Sequence, residues 1–185
     1  LIQKLIESQI LIEENIDESE LALRFFINRF KNNNSLKLLI YVTDDCNFNC
    51  VYCPQVHQPT YMAMSTITNL VEAVDDVLSS GQYTELVVSW FGGEPLLNLP
   101  IIRAGMNKFI ALKNKYNILL YSGMTTNGYL LSEKIFVELL SLGISEFQIT
   151  LDGNETTNDK NRLTKNGDSS WRKIWDNLIS AKEIQ

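Results

Sequence analysis

From Leu36 onward, short runs of β-forming residues alternate with longer segments whose apolar residues recur at helical spacing, and no other feature restricts the fold so tightly. The short runs span residues 37–43, 85–91, 118–123 and 146–151. The first intervening helix is expected to start after Ser65 as N-cap, to turn Ile67, Leu70, Val71, Val74 and Leu78 inward, and to stop at Gly81. A second opens at Pro100 and buries Ile101, Ile102, Met106, Phe109 and Ile110, and a third covers residues 132–143 with Ile135, Phe136, Leu139 and Leu140 inward. A fourth, over residues 170–183, carries Trp171, Ile174, Trp175 and Leu178. Strands that alternate with helices form a parallel sheet through right-handed crossovers, so the expected class is α/β with four βα units. Ligands of such sheets sit at the carboxyl ends of the strands, in the loops that lead into the helices. Every unusual motif of this chain falls in such a loop. Trp90, Phe91, Phe147, Trp171 and Trp175 are expected in the core.

The loop after the first strand reads Cys46-Asn47-Phe48-Asn49-Cys50-Val51-Tyr52-Cys53 and holds all three cysteines of the chain. An odd number of cysteines packed into eight positions is no disulfide framework and points to metal or redox chemistry in a reducing compartment. Three thiolates on one loop suit three irons of a [4Fe–4S] cluster, which leaves the fourth iron without a cysteine from this chain. A zinc site completed by His57, the only histidine, in a C-x3-C-x2-C-x3-H spacing is the alternative, and three ordinary buried thiols are another. The 22 acidic residues exceed the 16 basic ones, a net charge of −6 that opposes phosphate contacts and makes nucleic acid a poor partner. Gln3, Lys4, Glu7, Ser8 and Gln9 interrupt the apolar residues at the start of the chain, so neither a signal peptide nor a membrane span is expected there, and the expected location is cytoplasmic.

The C-x3-C-x2-C spacing with Tyr52 before the last cysteine resembles the signature of radical S-adenosylmethionine (radical SAM) enzymes. The resemblance implies an open iron that binds the methionyl amino and carboxylate groups of S-adenosylmethionine (SAM), and cleavage of SAM to a 5'-deoxyadenosyl radical that takes hydrogen from a substrate. It also implies the fold, a partial (β/α)6 TIM-like barrel of the radical SAM type, of which about four βα units are present here. Gly92-Gly93-Glu94-Pro95 after the second strand looks like the family's GGEP motif, in which backbone and glutamate meet the amino group of SAM. Taken by themselves, the glycines let backbone approach a ligand, and Glu94 can accept a hydrogen bond from an ammonium group. Glu94→Ala is therefore expected to weaken SAM binding and leave the iron content nearly unchanged.

Thr125-Thr126-Asn127-Gly128 is similar to a Thr-Asn-Gly often found after the third strand, and Asn127 either meets a ligand or caps the turn. Thr150-Leu151-Asp152-Gly153, followed by Asp159 and Arg162, is similar to the Ser-x-Asp-Gly…Arg pattern of peptide and sulfatase maturases. There the hydroxyl residue meets the ribose and the arginine meets the SAM carboxylate; here Thr150 replaces serine and Asn154 the usual proline. Asp152 is expected to fix the turn, and the paired Asp44 and Asp45 to lie in a solvated loop or to cap a helix. The implied site is thus Cys46, Cys50 and Cys53 on the metal, with Tyr52, Gly92, Gly93, Glu94, Asn127, Thr150 and Arg162 on SAM.

Within the superfamily the likeness is to radical SAM/SPASM peptide maturases and anaerobic sulfatase-maturating enzymes. It implies a peptide or protein substrate and an electron donor such as ferredoxin or flavodoxin. A radical SAM enzyme of a small molecule or RNA, and a non-catalytic iron–sulfur protein, are the alternatives. Two domains are expected: residues 1–35 as a helical extension, in which Leu5 to Ile16 resembles the end of a leader-binding module, and 36–185 as the core. The chain begins at Leu1 and stops after a helical pattern at Gln185, so it is expected to be part of a longer protein.

Overall fold

The structure is a computed structural model, and it describes Lys4, Asp17, Ser19, Glu20, Leu23 and residues 34–184. The chain divides into two units, Leu1–Asn34 and Ser35–Gln185. In the first, Lys4, Ser19, Glu20 and Leu23 are helical, and Asp17 Oδ1 accepts the N–H groups of Ser19 and Glu20 at 2.9 and 3.2 Å, as an N-capping carboxylate does. The rest of the expected helical extension, Leu5 to Ile16 included, lies outside the described residues.

The second unit begins with β1 (Ser35–Tyr41) and the short β2 (Phe48–Cys50), then α1 (Met64–Leu78) and β3 (Glu85–Phe91). A 3-10 turn (Pro95–Asn98) leads into α2 (Leu99–Tyr116), followed by β4 (Leu119–Thr126), α3 (Glu133–Ser141) and β5 (Glu146–Ile149). The chain ends with α4 (Glu155–Asn161), β6 (Arg162–Thr164) and α5 (Trp171–Ile184). β1, β3, β4 and β5 lie in that order in one sheet, every neighbouring pair is parallel, and the sheet is open rather than closed into a barrel.

Side chains alternate across a strand, and β3 shows what each face does. Leu86, Val88 and Trp90 are wholly buried under α1 and α2, against Ile67 and Val74 of the one and Ile102, Met106 and Phe109 of the other. Each such large side chain contributes roughly 1.5–3 kcal/mol when taken out of water. Gly105 lets α2 close on the sheet, because a Cβ there would stand 2.6 Å from the Trp90 ring. The Trp90 indole N–H is satisfied by Ser122 Oγ at 3.1 Å. The other face is bare, with Leu39, Tyr41 and Tyr121 about half exposed or more.

The four main strands and four helices stand where the residue pattern puts them, with shifts at their ends. α1 starts two residues earlier, with Ala63 in the N-cap position, so Ser65 lies inside its first turn. β4 runs on to Thr126, three residues past the expected end, and carries Thr125 and Thr126 into the sheet. Trp175 corrects an expectation: it is 41% exposed and stacks on Trp171 at 5.2 Å with the rings nearly parallel, so the pair covers itself on the surface of α5 instead of entering the core. Among the described residues, no helix is long and apolar enough to cross a membrane.

Candidate functional site

The cysteine loop leaves β1 and returns to its own origin. Asp44 N–H and the Thr43 hydroxyl both donate to Thr60 O, at 3.0 and 2.7 Å, and Met62 N–H donates to Val42 O at 2.9 Å. Asp45 ties the loop together: Oδ1 accepts from Cys46 N–H at 2.9 Å and from Lys165 at 2.5 Å, and Oδ2 accepts from the Tyr61 hydroxyl at 2.5 Å. The Lys165 and Tyr61 bonds hold the Asp45 carboxyl below its usual range. Asp45 is therefore a partnered anchor and not a solvated loop residue.

The antiparallel pair β2–β6 adds a second hold, with Cys50 opposite Arg162 in register and Val51 N–H donating to Asn161 O at 2.9 Å. Three residues are too few for an alternating pattern to announce a strand, so nothing local marks either one. This pairing carries Arg162 to the cysteines. There its guanidinium is buried, donates to the Tyr52 hydroxyl at 2.7 Å, lies 3.9 Å from Asp152 Oδ1 and 5.9 Å from the Phe48 ring centre, and leaves Nε without a protein partner. The Asp152 carboxylate receives the Tyr52 hydroxyl at 3.1 Å, and its backbone N–H donates to the buried Asn158 side chain.

After β3, the two glycines are needed for a reason besides approach to a ligand. A Cβ on Gly92 would stand 2.5 Å from Thr43 O, and one on Gly93 would stand 2.2 Å from Asp45 O. Their bareness lets this turn seat against the cysteine loop, where Gly93 N–H and Glu94 N–H donate to the same two carbonyls at 2.9 and 2.8 Å. Glu94 then turns inward and is wholly buried. Its Oε1 accepts from Leu96 N–H at 3.0 Å and the Thr126 hydroxyl at 2.8 Å, and Oε2 accepts from Asn127 N–H at 2.8 Å. Burial raises the Glu94 carboxyl above its usual range, while the Asn127, Leu96 and Thr126 bonds pull the other way. Asn127 in turn donates through Nδ2 to Asn47 Oδ1 at 2.7 Å and reaches Cys46 Sγ at 3.9 Å.

A cleft of about 340 Å³ opens at the carboxyl ends of the strands. Cys46, Cys50 and Cys53 all line it, and so do Tyr52, Gly92, Gly93, Asn127, Thr150 and Arg162. Of the residues of the implied site, Glu94 alone is absent from its wall, held behind it. His57, read as an ordinary loop histidine, is at the wall, with Nε2 3.5 Å from Cys53 Sγ and Nδ1 3.0 Å from Asp44 O. Burial pushes the Cys46 thiol up to about 11 and raises Cys50 as well, so a bare thiolate is disfavoured in this pocket. A bound cation reverses that balance, since ligation deprotonates a thiol outright. Among the described residues, no three His, Cys, Asp or Glu side chains are gathered closely enough to hold a single metal ion. The donor set fits a wider group: three soft sulfur ligands on the wall of one cleft, a buried guanidinium with a free N–H, and a hydroxyl at Thr150.

The family model of the Radical SAM superfamily matches residues 40–185. Among curated proteins, the GTP 3',8-cyclase of Rippkaea orientalis is 32% identical over 152 residues, 80% of this chain and 44% of that protein. The radical SAM cyclopropyl synthase TigE of Paramaledivibacter caminithermalis is 25% identical over 173 residues, 85% of this chain and 34% of that protein. The chain thus spans less than half the length of these relatives. Among solved structures, native anSMEcpe with bound AdoMet superposes with a TM-score of 0.69 at 21% identity, over 80% of this chain and 41% of that one. HydG, a maturase of the [FeFe]-hydrogenase, gives a TM-score of 0.53 at 19% identity, over 92% of this chain and 39% of that one. At such identities the superpositions speak to the fold, which is the α/β partial barrel of those enzymes.

Proposed function

The chain belongs to the radical SAM superfamily, and from that premise we propose that it forms the core of an enzyme that modifies a peptide or protein substrate. The superfamily's cofactors are a [4Fe–4S] cluster and SAM; when bound, they supply one-electron cleavage of SAM to a 5'-deoxyadenosyl radical that abstracts hydrogen. In this reading Cys46, Cys50 and Cys53 ligate three irons. The observation that carries it is the gathering of all three cysteines, both glycines, Asn127, Thr150 and Arg162 around one cleft from loops that are distant in the chain. Arg162, buried at the wall of the cleft, would meet the SAM carboxylate, for which a guanidinium's paired donors are suited. Thr150 offers its hydroxyl to the ribose, and Tyr52 keeps Arg162 oriented through their 2.7 Å hydrogen bond. Glu94 acts behind the wall by fixing Asn127. The electron comes from an external donor of the ferredoxin or flavodoxin kind, in the cytoplasm.

A peptide substrate is favoured by the charge of the cleft. Among the described residues Arg162 is the one fixed cation on its wall, whereas a nucleoside triphosphate calls for several cationic or N–H donors around its phosphates. Conversion of GTP is the second reading, supported by the GTP 3',8-cyclases among the relatives. The deciding experiment uses the full-length gene product, reconstituted without oxygen and reduced, with SAM and either GTP or a precursor peptide encoded nearby. The peptide reading expects 5'-deoxyadenosine and a mass change in the peptide, both lost in Cys46→Ala, Cys50→Ala and Cys53→Ala. Turnover of GTP, with the peptide inert, would replace it by the second reading, and no 5'-deoxyadenosine under any condition would leave only an iron–sulfur binding protein.

A further inference from the structure

The bare face of the sheet carries a polar hollow directly below the cleft, and no role has been given to its residues. Register puts Leu39, Ser89, Gly123 and Glu146 in one row across all four strands, and Thr125 beside Gln148 in the next row toward the cleft. Ser89, Gly123, Thr125, Glu146 and Gln148 enclose about 230 Å³, and Thr125 lines both this hollow and the cleft. The two small residues in the middle of the row, Ser89 and Gly123, give the hollow its depth.

Gly123 has a second consequence. A Cβ at that position would lie 3.2 Å from Glu146 Cβ and 3.7 Å from Glu146 Oε2, so the glutamate folds across β4 over the bare glycine and its carboxylate lies inside the hollow. Among the described residues, nothing pairs with this carboxylate. The lysine of the same face, Lys37, is on β1, three strand spacings and so roughly 14 Å away, too far to neutralise it. In the row above, Gln148 Oε1 is taken by the Thr125 hydroxyl at 3.4 Å, which leaves the Gln148 amide N–H groups to donate outward. The hollow thus offers an anion at its base and a donor at its mouth, about 7 Å apart by the rise of two strand residues. The complementary ligand has a carbonyl near the cleft and a cation on a stem reaching downward.

We infer that the hollow receives the lysine or arginine side chain of the peptide substrate, that Glu146 recognises its charge, and that Gln148 holds a backbone carbonyl next to it. This rests on the peptide reading proposed above and makes it specific: the residue modified stands beside a basic one.

The test uses the full-length, cluster-loaded enzyme with SAM bound, and capped peptides identical except for lysine, norleucine or glutamate at the central position. Binding is read by calorimetry, with iron content and SAM affinity as controls of folding. The lysine peptide should bind about tenfold more tightly than the norleucine peptide, a common size for a charge pair of this kind. Glu146→Gln should bring the two to parity, and Glu146→Lys should turn the preference toward the glutamate peptide. Equal binding of all three peptides, or a lysine preference that survives Glu146→Gln, overturns the role of Glu146 while the peptide reading stands. Absence of binding by every peptide, together with GTP-dependent 5'-deoxyadenosine, overturns both.

Discussion

Glu94 and the glycine before it set the position of the cysteines without belonging to them. Glu94 takes three donors while fully buried, and one of them, Asn127 N–H, belongs to the residue whose side chain meets Asn47 and Cys46. Glu94→Ala leaves those donors unpaired and should lower stability by roughly 2–4 kcal/mol, read from the urea midpoint. Iron occupancy should fall together with SAM affinity, because the loop that carries Cys46 loses its support. Retention of full iron with SAM binding alone weakened would restore the direct contact with SAM expected from the GGEP resemblance. Gly93→Ala brings a Cβ to 2.2 Å from Asp45 O, backbone against backbone, and should cost about 3 kcal/mol or more and most of the iron. Gly81→Ala is the comparison: its φ of 70° is left-handed but no atom lies within 4 Å, so a loss of about 1–2 kcal/mol and no iron is expected.

At the level of elements, the four parallel strands and their helices were legible because amphipathic segments announce themselves by period, and the cysteine loop by its spacing. β2, β6 and α4 were not. The two strands are three residues long and exist through each other, and α4 (Glu155–Asn161) is polar throughout, so no apolar period marks it. Why Gly92 and Gly93 are glycine was hidden for the same reason, since the carbonyls they avoid are some fifty residues earlier in the chain. α4 also supplies what α5 lacks at its own start: Asp159 Oδ1 accepts Ser170 N–H and Trp171 N–H at 2.9 and 2.8 Å. Burial alone would raise Asp159, but bonds from Ser169, Trp171 and Ser170 prevail and hold it below its usual range. A carboxyl depressed in the folded state contributes stability above its unfolded value, about 3.9, and loses it as the pH falls through the folded value. Asp159→Asn keeps an acceptor for the cap but does not titrate there. The urea midpoint of the wild type should therefore drop further on acidification than that of Asp159→Asn, and parallel curves would remove Asp159 from the account.

At the scale of the whole core, the cleft is where the loops after β1, β3, β4 and β5 and the strand β6 meet, through Cys46, Gly92, Asn127, Thr150 and Arg162 respectively. A ligand seated there touches every layer that must separate when the core unfolds, so binding is linked to global stability and not to one loop. At a SAM concentration a hundred times the dissociation constant, the gain is about 2.7 kcal/mol. For a chain of 185 residues that corresponds to a rise in the unfolding midpoint of roughly 5–10 °C. The rise should require the cluster: without it SAM has no iron to bind, so protein stripped by a chelator under anaerobic conditions should show little shift at the same SAM concentration. Differential scanning calorimetry of the loaded and stripped forms, with and without SAM, reads all four states. An equal shift in the stripped protein would mean that Arg162, Thr150 and the glycine turn bind SAM by themselves, and the cysteines would lose their place at the centre of the site.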